Sequence, residues 1–191
     1  MTLLEKYQQC EKPCIMLGDD VWCRIEREGN VAHIAFQGTA TARGVLIDAN
    51  FPAKIYKDEP TPWKVHRGFG ETFKTAIDTI ARTIEGCSSV YVYGYSKGGA
   101  YATLMHEWAV FHGLDVHTIT FGSPAIFWRP PKAIKQRMAG LNRVSICGDW
   151  CSLIAYLIGY KHLGQPVKIG RAKLDIWKNY HSKYAEYLAD L

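Results

Sequence analysis

The apolar strand pattern Val90-Tyr91-Val92-Tyr93 runs into Gly94-Tyr95-Ser96-Lys97-Gly98 and continues at helical spacing through Ala100, Leu104, Met105, Trp108 and Phe111. This strand-to-helix elbow constrains the fold more than any other stretch. It holds a serine in a cramped backbone conformation with its hydroxyl exposed, so the positions two before and two after it must lack side chains, as Gly94 and Gly98 do. Ser96 is therefore the candidate nucleophile. Glycine-rich turns of this kind also cradle phosphate, but neither the Gly-x-x-x-x-Gly-Lys-Ser/Thr nor the Gly-x-Gly-x-x-Gly spacing is present. The plainer alternative is a structural turn whose serine caps the helix.

A chain of 191 residues with 48% apolar and 21% charged content is an ordinary globular sequence. No repeat, low-complexity segment or linker divides it, so one domain over residues 1–191 is expected. The net charge is +5, and after Tyr160 the basic Lys161, Lys168, Arg171, Lys173, Lys178 and Lys183 outnumber Asp175, Glu186 and Asp190. A solvated basic face is favoured there over contact with an anionic lipid surface. Basic residues nowhere cluster with stacking aromatics, so no nucleic-acid partner is expected. The N-terminus shows no basic flank, apolar run and small-residue cleavage site, which leads to the expectation of a cytoplasmic protein unless it is secreted by another route. The charge-free stretch from Trp150 to Tyr160 is too short to span a bilayer and reads as a core or site-lining segment. Cysteines 10, 14, 23, 87, 147 and 151 form no Cys-x-x-Cys and are expected to be mostly reduced, the last two as small buried hydrophobes.

Strands are predicted near Val21–Arg27, Val31–Gln37, Ser89–Gly94, Val116–Phe121, Arg143–Cys147 and Pro166–Ile169. Phe73, Ile77, Ile80 and Ile84 mark a helix from Glu71 to Glu85, and another runs from Lys97 to His112. Alternation of this kind predicts an α/β fold, a mainly parallel central sheet with helices on both faces. Sites in such folds lie at the carboxyl ends of strands, where Ser96 falls.

A serine needs a base, and the base needs a carboxylate to fix its tautomer and stabilise its charged form. In elbow hydrolases the order is serine, acid, histidine. Asp149 follows the strand pattern Arg143–Cys147 and fits the acid, although a helix-capping or turn aspartate is the ordinary alternative. Downstream of it stand two histidines, His162 and His181. The backbone N–H of Lys97 and a donor from Gln37-Gly38-Thr39-Ala40-Thr41, with Thr39 chosen, are candidates for an oxyanion hole. His106-Glu107 has Val110 where His-Glu-x-x-His needs its second histidine, so no metal site is supported and no cofactor is expected.

Together these segments resemble the class 3 lipases, the fungal-type triacylglycerol lipase family of the α/β hydrolases. Phe36-Gln37-Gly38-Thr39 is similar to the family's Phe-Arg-Gly-Thr/Ser, Val65-His66-Arg67-Gly68-Phe69 to Val-His-x-Gly-Phe, and Gly94–Ala100 to Gly-His-Ser-Leu-Gly-Gly-Ala. Thr120-Phe121-Gly122-Ser123-Pro124 and Gly148-Asp149 then fall in family order. The resemblance runs from Val31 to His181. It implies an α/β-hydrolase fold, a Ser96-Asp149-His181 triad and an acyl-ester or lipid substrate, with transient contact at lipid surfaces. His181 opens a His-x-x-Tyr segment like the one bearing the family's base, whereas Gly159-Tyr160-Lys161-His162-Leu163-Gly164 resembles a segment whose histidine is not catalytic. The departures are Gln37 for Arg, Tyr95 and Lys97 for His and Leu, and Trp150-Cys151 for the Val-Pro after the acid. Lys97 either charges the pocket rim or is solvated at an exposed helix start. A chain shorter than typical members leaves less material for a lid, which favours an esterase on small or dispersed esters. Phospholipid or thioester hydrolysis, or a non-catalytic acyl-lipid-binding module, are the other readings.

Overall fold

The computed structural model describes residues 1–39, 52–57, 62–170 and 180–191. In chain order the elements are α1 (Leu3–Gln9), β1 (Ile15–Leu17), β2 (Val21–Glu28), β3 (Val31–Phe36), β4 (Ala53–Lys57), β5 (Trp63–His66), α2 (Arg67–Thr83), β6 (Ser89–Tyr95) and α3 (Lys97–Phe111). Then come β7 (Asp115–Phe121), β8 (Phe127–Trp128), α4 (Lys132–Arg137), β9 (Asn142–Ile146), α5 (Trp150–Leu157), β10 (Gln165–Ile169) and α6 (Tyr184–Ala189). A 3-10 turn, Tyr180–Lys183, precedes α6.

Among the described residues a seven-stranded sheet runs in the order β1-β2-β3-β6-β7-β9-β10. Its first three strands pair antiparallel, and from β3 onward every pairing is parallel. The two-residue period of a strand sorts its side chains to opposite faces. Ala32, Ile34, Phe36, Val90 and Val92 face the core shared with Phe73 and Ile80 of α2 and Leu104 of α3. Ala35, Tyr93, Ile119, Phe121, Val144 and Ile146 face the other way, packed with Tyr7 of α1 and Tyr184 and Leu188 of α6. Helices therefore cover both faces, and the architecture is the α/β-hydrolase fold.

The six predicted strands appear as β2, β3, β6, β7, β9 and β10, with ends shifted by about one residue. Helix α2 begins at Arg67 rather than Glu71, because Phe69 extends the buried stripe of Phe73 and Ile80 back by a turn. The small sheet β4-β5-β8 was not foreseen, since its strands are short and interrupted by exposed lysines such as Lys54 and Lys64. Helix α1 was also missed, although Thr2 and Glu5 form a capping box whose Thr-x-x-Glu pattern is visible in the sequence. Among the described residues no helix is long and apolar enough to cross a membrane. Arg171, Lys173, Asp175 and Lys178 of the basic C-terminal region lie outside the described residues.

Candidate active site

Strand β6 and helix α3 meet at Ser96, which adopts φ 55° and ψ −124°. A non-glycine residue there is strained, and the surroundings hold it. Its N–H donates to Phe121 O at 2.9 Å, anchoring the turn to β7. A Cβ on Gly98 would stand 2.3 Å from Phe36 O, so only glycine lets α3 start this close to the end of β3. Although Ser96 occupies the N-cap of α3, its side chain makes no capping hydrogen bond. Instead Ser96 Oγ lies 2.8 Å from His181 Nε2, and the capping alternative falls.

The other ring nitrogen, His181 Nδ1, donates to Asp149 at 3.0 Å from Oδ1 and 3.2 Å from Oδ2. A carboxylate only accepts, so this contact places the proton on Nδ1 and leaves Nε2 free to accept from the serine. Asp149 is 0% exposed and fully satisfied. It also accepts from Tyr184 OH at 2.8 Å and from Cys151 N at 3.0 Å. Asp149 thus both caps α5 and holds the His181 ring, so capping does not compete with the contact to the histidine. The Tyr184 hydroxyl in turn accepts from Ile146 N at 3.1 Å, tying Asp149 to the end of β9. Gly122, at φ +57°, completes the fit: a Cβ there would come within 2.9 Å of both Asp149 Oδ2 and His181 Cε1.

His162 stands elsewhere. Its Nε2 donates to Ser152 O at 2.7 Å, and burial, reinforced by Arg143, lowers its pKa from 6.5 to about 4. It braces α5 as a neutral donor. The segment ending in Gly38-Thr39 does run beside Ser96, for a Cβ on Gly38 would lie 3.4 Å from Ser96 Cβ, and Thr39 follows it at the surface. Ala40 and Thr41 lie outside the described residues.

Lys97 corrects both of its expected placements. Its side chain is 1% exposed and its ammonium pairs with the equally buried Asp20 at 2.5 Å, so it neither charges a pocket rim nor meets solvent. Asp20 also accepts from Trp22 Nε1 at 3.0 Å. A cation at the first turn of a helix opposes the helix dipole, and burial adds a desolvation cost; the Asp20 carboxylate offsets both. Nothing in the sequence near the elbow points to Asp20, because a contact between residues this far apart in the chain leaves no local pattern.

The apolar run after the acid also differs from one expectation. It forms α5 and the turn after it, where Trp150, Tyr156, Leu157 and Ile158 are exposed, Leu157 by 79%. A core role for Leu157 is excluded. Trp150 leans on the His181 ring with centroids 5.9 Å apart, which puts the start of this run at the site. All six cysteines are free thiols, with Cys147 and Cys151 partly rather than fully buried.

The sequence pattern of the class 3 lipases matches residues 33–154 of this chain. The chain belongs to the class 3 lipase family. Solved lipases share its fold. One is Lip2 lipase from Yarrowia lipolytica, 18% identical with TM-score 0.62 over 78% of this chain and 60% of that one. Another is the mono- and diacylglycerol lipase from Aspergillus oryzae, 20% identical with TM-score 0.67 over 84% and 62%. The triacylglyceride lipase of Rhizomucor miehei is 21% identical, with TM-score 0.62 over 78% and 62%. This class 3 lipase chain thus spans less than two thirds of the length of these three neighbours. No curated protein matches it by sequence. The family match ends before His181, so the histidine's place beside Ser96 is a finding of the tertiary structure.

Proposed function

We propose that this protein is a serine acyl hydrolase that cleaves carboxylic esters through an acyl-enzyme on Ser96. The observation that carries the reading is the unbroken hydrogen-bonded chain from Ser96 Oγ through His181 to buried Asp149. His181 Nε2 takes the serine proton as Oγ attacks the ester carbonyl, and Asp149 stabilises the imidazolium that forms. The tetrahedral oxyanion is received by the backbone N–H groups of Lys97 and Thr39. Collapse expels the alcohol, which takes its proton from His181. Water, activated by the same histidine, then attacks the acyl-enzyme, and its collapse releases the acid and regenerates Ser96.

Residues 1–191 act in this reading as one domain, supported by the packing of α1 against α6 behind the site. Family membership and the acylglycerol lipases among its structural neighbours support acyl esters of lipids as the substrate class. The exposed apolar residues of α5 supply a surface for transient contact with lipid. A fluorophosphonate probe should leave its adduct on Ser96, read by mass spectrometry. A panel of p-nitrophenyl esters, phospholipids and acyl-CoA esters should show turnover of the first class at least, and its ranking separates esterase, phospholipase and thioesterase activity. A folded protein that takes no label and turns over no member of the panel is a binding module, not an enzyme.

A further inference from the structure

The histidine of the site is carried by a single 3-10 turn, Tyr180–Lys183, yet its Nε2 must meet a serine 85 residues earlier in the chain. Asp149 holds one nitrogen of its ring. Buried Tyr180 and Tyr184 anchor the ends of the turn, and Trp150 leans on the ring. Tyr95 adds a contact to each part of the histidine, its backbone and its ring. Its hydroxyl donates to His181 O at 2.7 Å, and its ring stacks on the imidazole with centroids 5.1 Å apart and planes at 21°.

Tyr95 is itself fixed. It is the last residue of β6 and the immediate neighbour of Ser96, so any reference it provides moves with the nucleophile. Tyr7 packs edge-on against it at 5.3 Å and Tyr184 at 5.8 Å. Burial, with the Asp149 carboxylate nearby, pushes its phenol above the ordinary value and keeps the hydroxyl a donor. Tyr184, which holds the acid, thus touches the residue that holds the base.

Building on the acyl-hydrolase reading, we infer that Tyr95 is a positioning residue that sets His181 in register with Ser96, through its hydroxyl on the histidine's backbone and its ring on the imidazole face. The two contacts do different work. The hydrogen bond places the turn, and the stacked ring orients the imidazole and faces its π-cloud toward the cation formed as the serine proton moves.

Hydrolysis of a p-nitrophenyl ester by wild type, Tyr95→Phe and Tyr95→Leu tests this, with active sites counted by fluorophosphonate titration so that misfolded protein drops out. Tyr95→Phe keeps the stack and loses one hydrogen bond, so kcat per titrated site should fall about 3- to 10-fold with KM unchanged. Tyr95→Leu loses both contacts, and kcat should fall about 100-fold, again without a matching change in KM. A purely structural role moves the titrated fraction and the melting temperature but leaves kcat per site intact. Parity of both variants with wild type in kcat per site overturns the inference. If Tyr95→Leu does not fold, Tyr95→Phe alone decides, since parity there removes the hydroxyl contact from the mechanism. A wild type that takes no label at Ser96 and hydrolyses no ester defeats the acyl-hydrolase reading, and the role of Tyr95 falls with it.

Discussion

Helices α3 and α5 each begin on a residue of the Ser96–His181–Asp149 chain, yet α3 is buried from Lys97 through Glu107 while α5 exposes Trp150, Tyr156 and Leu157. Both are apolar in sequence. Helix α3 is packed between the central sheet and α2, so from Lys97 to Glu107 every side of it meets protein. Helix α5 follows the second-to-last parallel strand, and Trp150 at its start leans on His181. The caps differ as well. Asp149 donates nothing and its carboxylate is free to serve Cys151 N and His181 together, whereas the Ser96 hydroxyl is turned away from its helix toward the imidazole. The lesson is that the same apolar composition fills the core in α3 and lies at the surface in α5.

The strongest way to break that comparison is at the residues that begin the two helices and the histidine between them. Ser96→Ala and His181→Ala should each lower kcat by about three or more orders of magnitude in folded protein, since in the proposed mechanism base and nucleophile act as a unit. His162→Ala, by contrast, should stay within about tenfold of wild type, because it removes only a brace of α5. Steady-state ester hydrolysis with circular dichroism as a folding control checks all three, and a reversed ranking would move the base to His162.

Leucines on the two helices test burial directly. Leu104 on α3 is 0% exposed, and Leu104→Ala should cost about 2–5 kcal/mol in urea unfolding. A cost below about 1 kcal/mol would mean that α3 is not the packed centre described above.

Acid should loosen both helices. His106 on α3 bonds to Thr118 Oγ1 and Arg137 O, and burial lowers its pKa to about 4, as it does for His162 against α5. The unfolded chain binds protons at these groups near the ordinary 6.5, whereas the native state takes them up only near 4. Between those values the unfolded state therefore holds more protons, and stability falls as the pH falls; above 6.5 the effect is absent. The loss should be on the order of 3 kcal/mol per histidine by about pH 4. Urea midpoints at about pH 7.5 and pH 4.5 should differ less in His106→Asn and in His162→Asn than in wild type. Equal pH slopes in all three proteins would exclude these histidines as the source.

The smallest effect on stability should come from Leu157→Asp. At 79% exposure the substitution should shift stability by no more than about 0.5 kcal/mol. If α5 meets lipid, the variant should lose several-fold more activity on an emulsified ester than on a dispersed p-nitrophenyl ester. Equal activity on both would leave α5 a solvent-exposed helix without a lipid role.

Strands with a clean two-residue period, such as β3 and β6, and the glycines flanking Ser96 were legible because their requirements are local: a pleat, a cramped turn and a close approach each leave a mark within a few residues. The order Ser96, Asp149, His181 was legible too, through resemblance to a family pattern. The short strands β4, β5 and β8 were not, because they are stabilised by one another rather than by any pattern of their own.

From its sequence alone this chain is an α/β protein with an exposed serine at a strand-to-helix turn, since backbone sterics and side-chain periodicity act between near neighbours. The tertiary structure alone decided that Lys97 is buried against Asp20, that Leu157 faces outward, that His181 reaches Ser96 while His162 does not, and that Tyr95 contacts His181. Each of those depends on segments far apart in the chain meeting in space. The free energy of burying or pairing a group is set by what arrives beside it, and no local pattern of residues encodes that arrival.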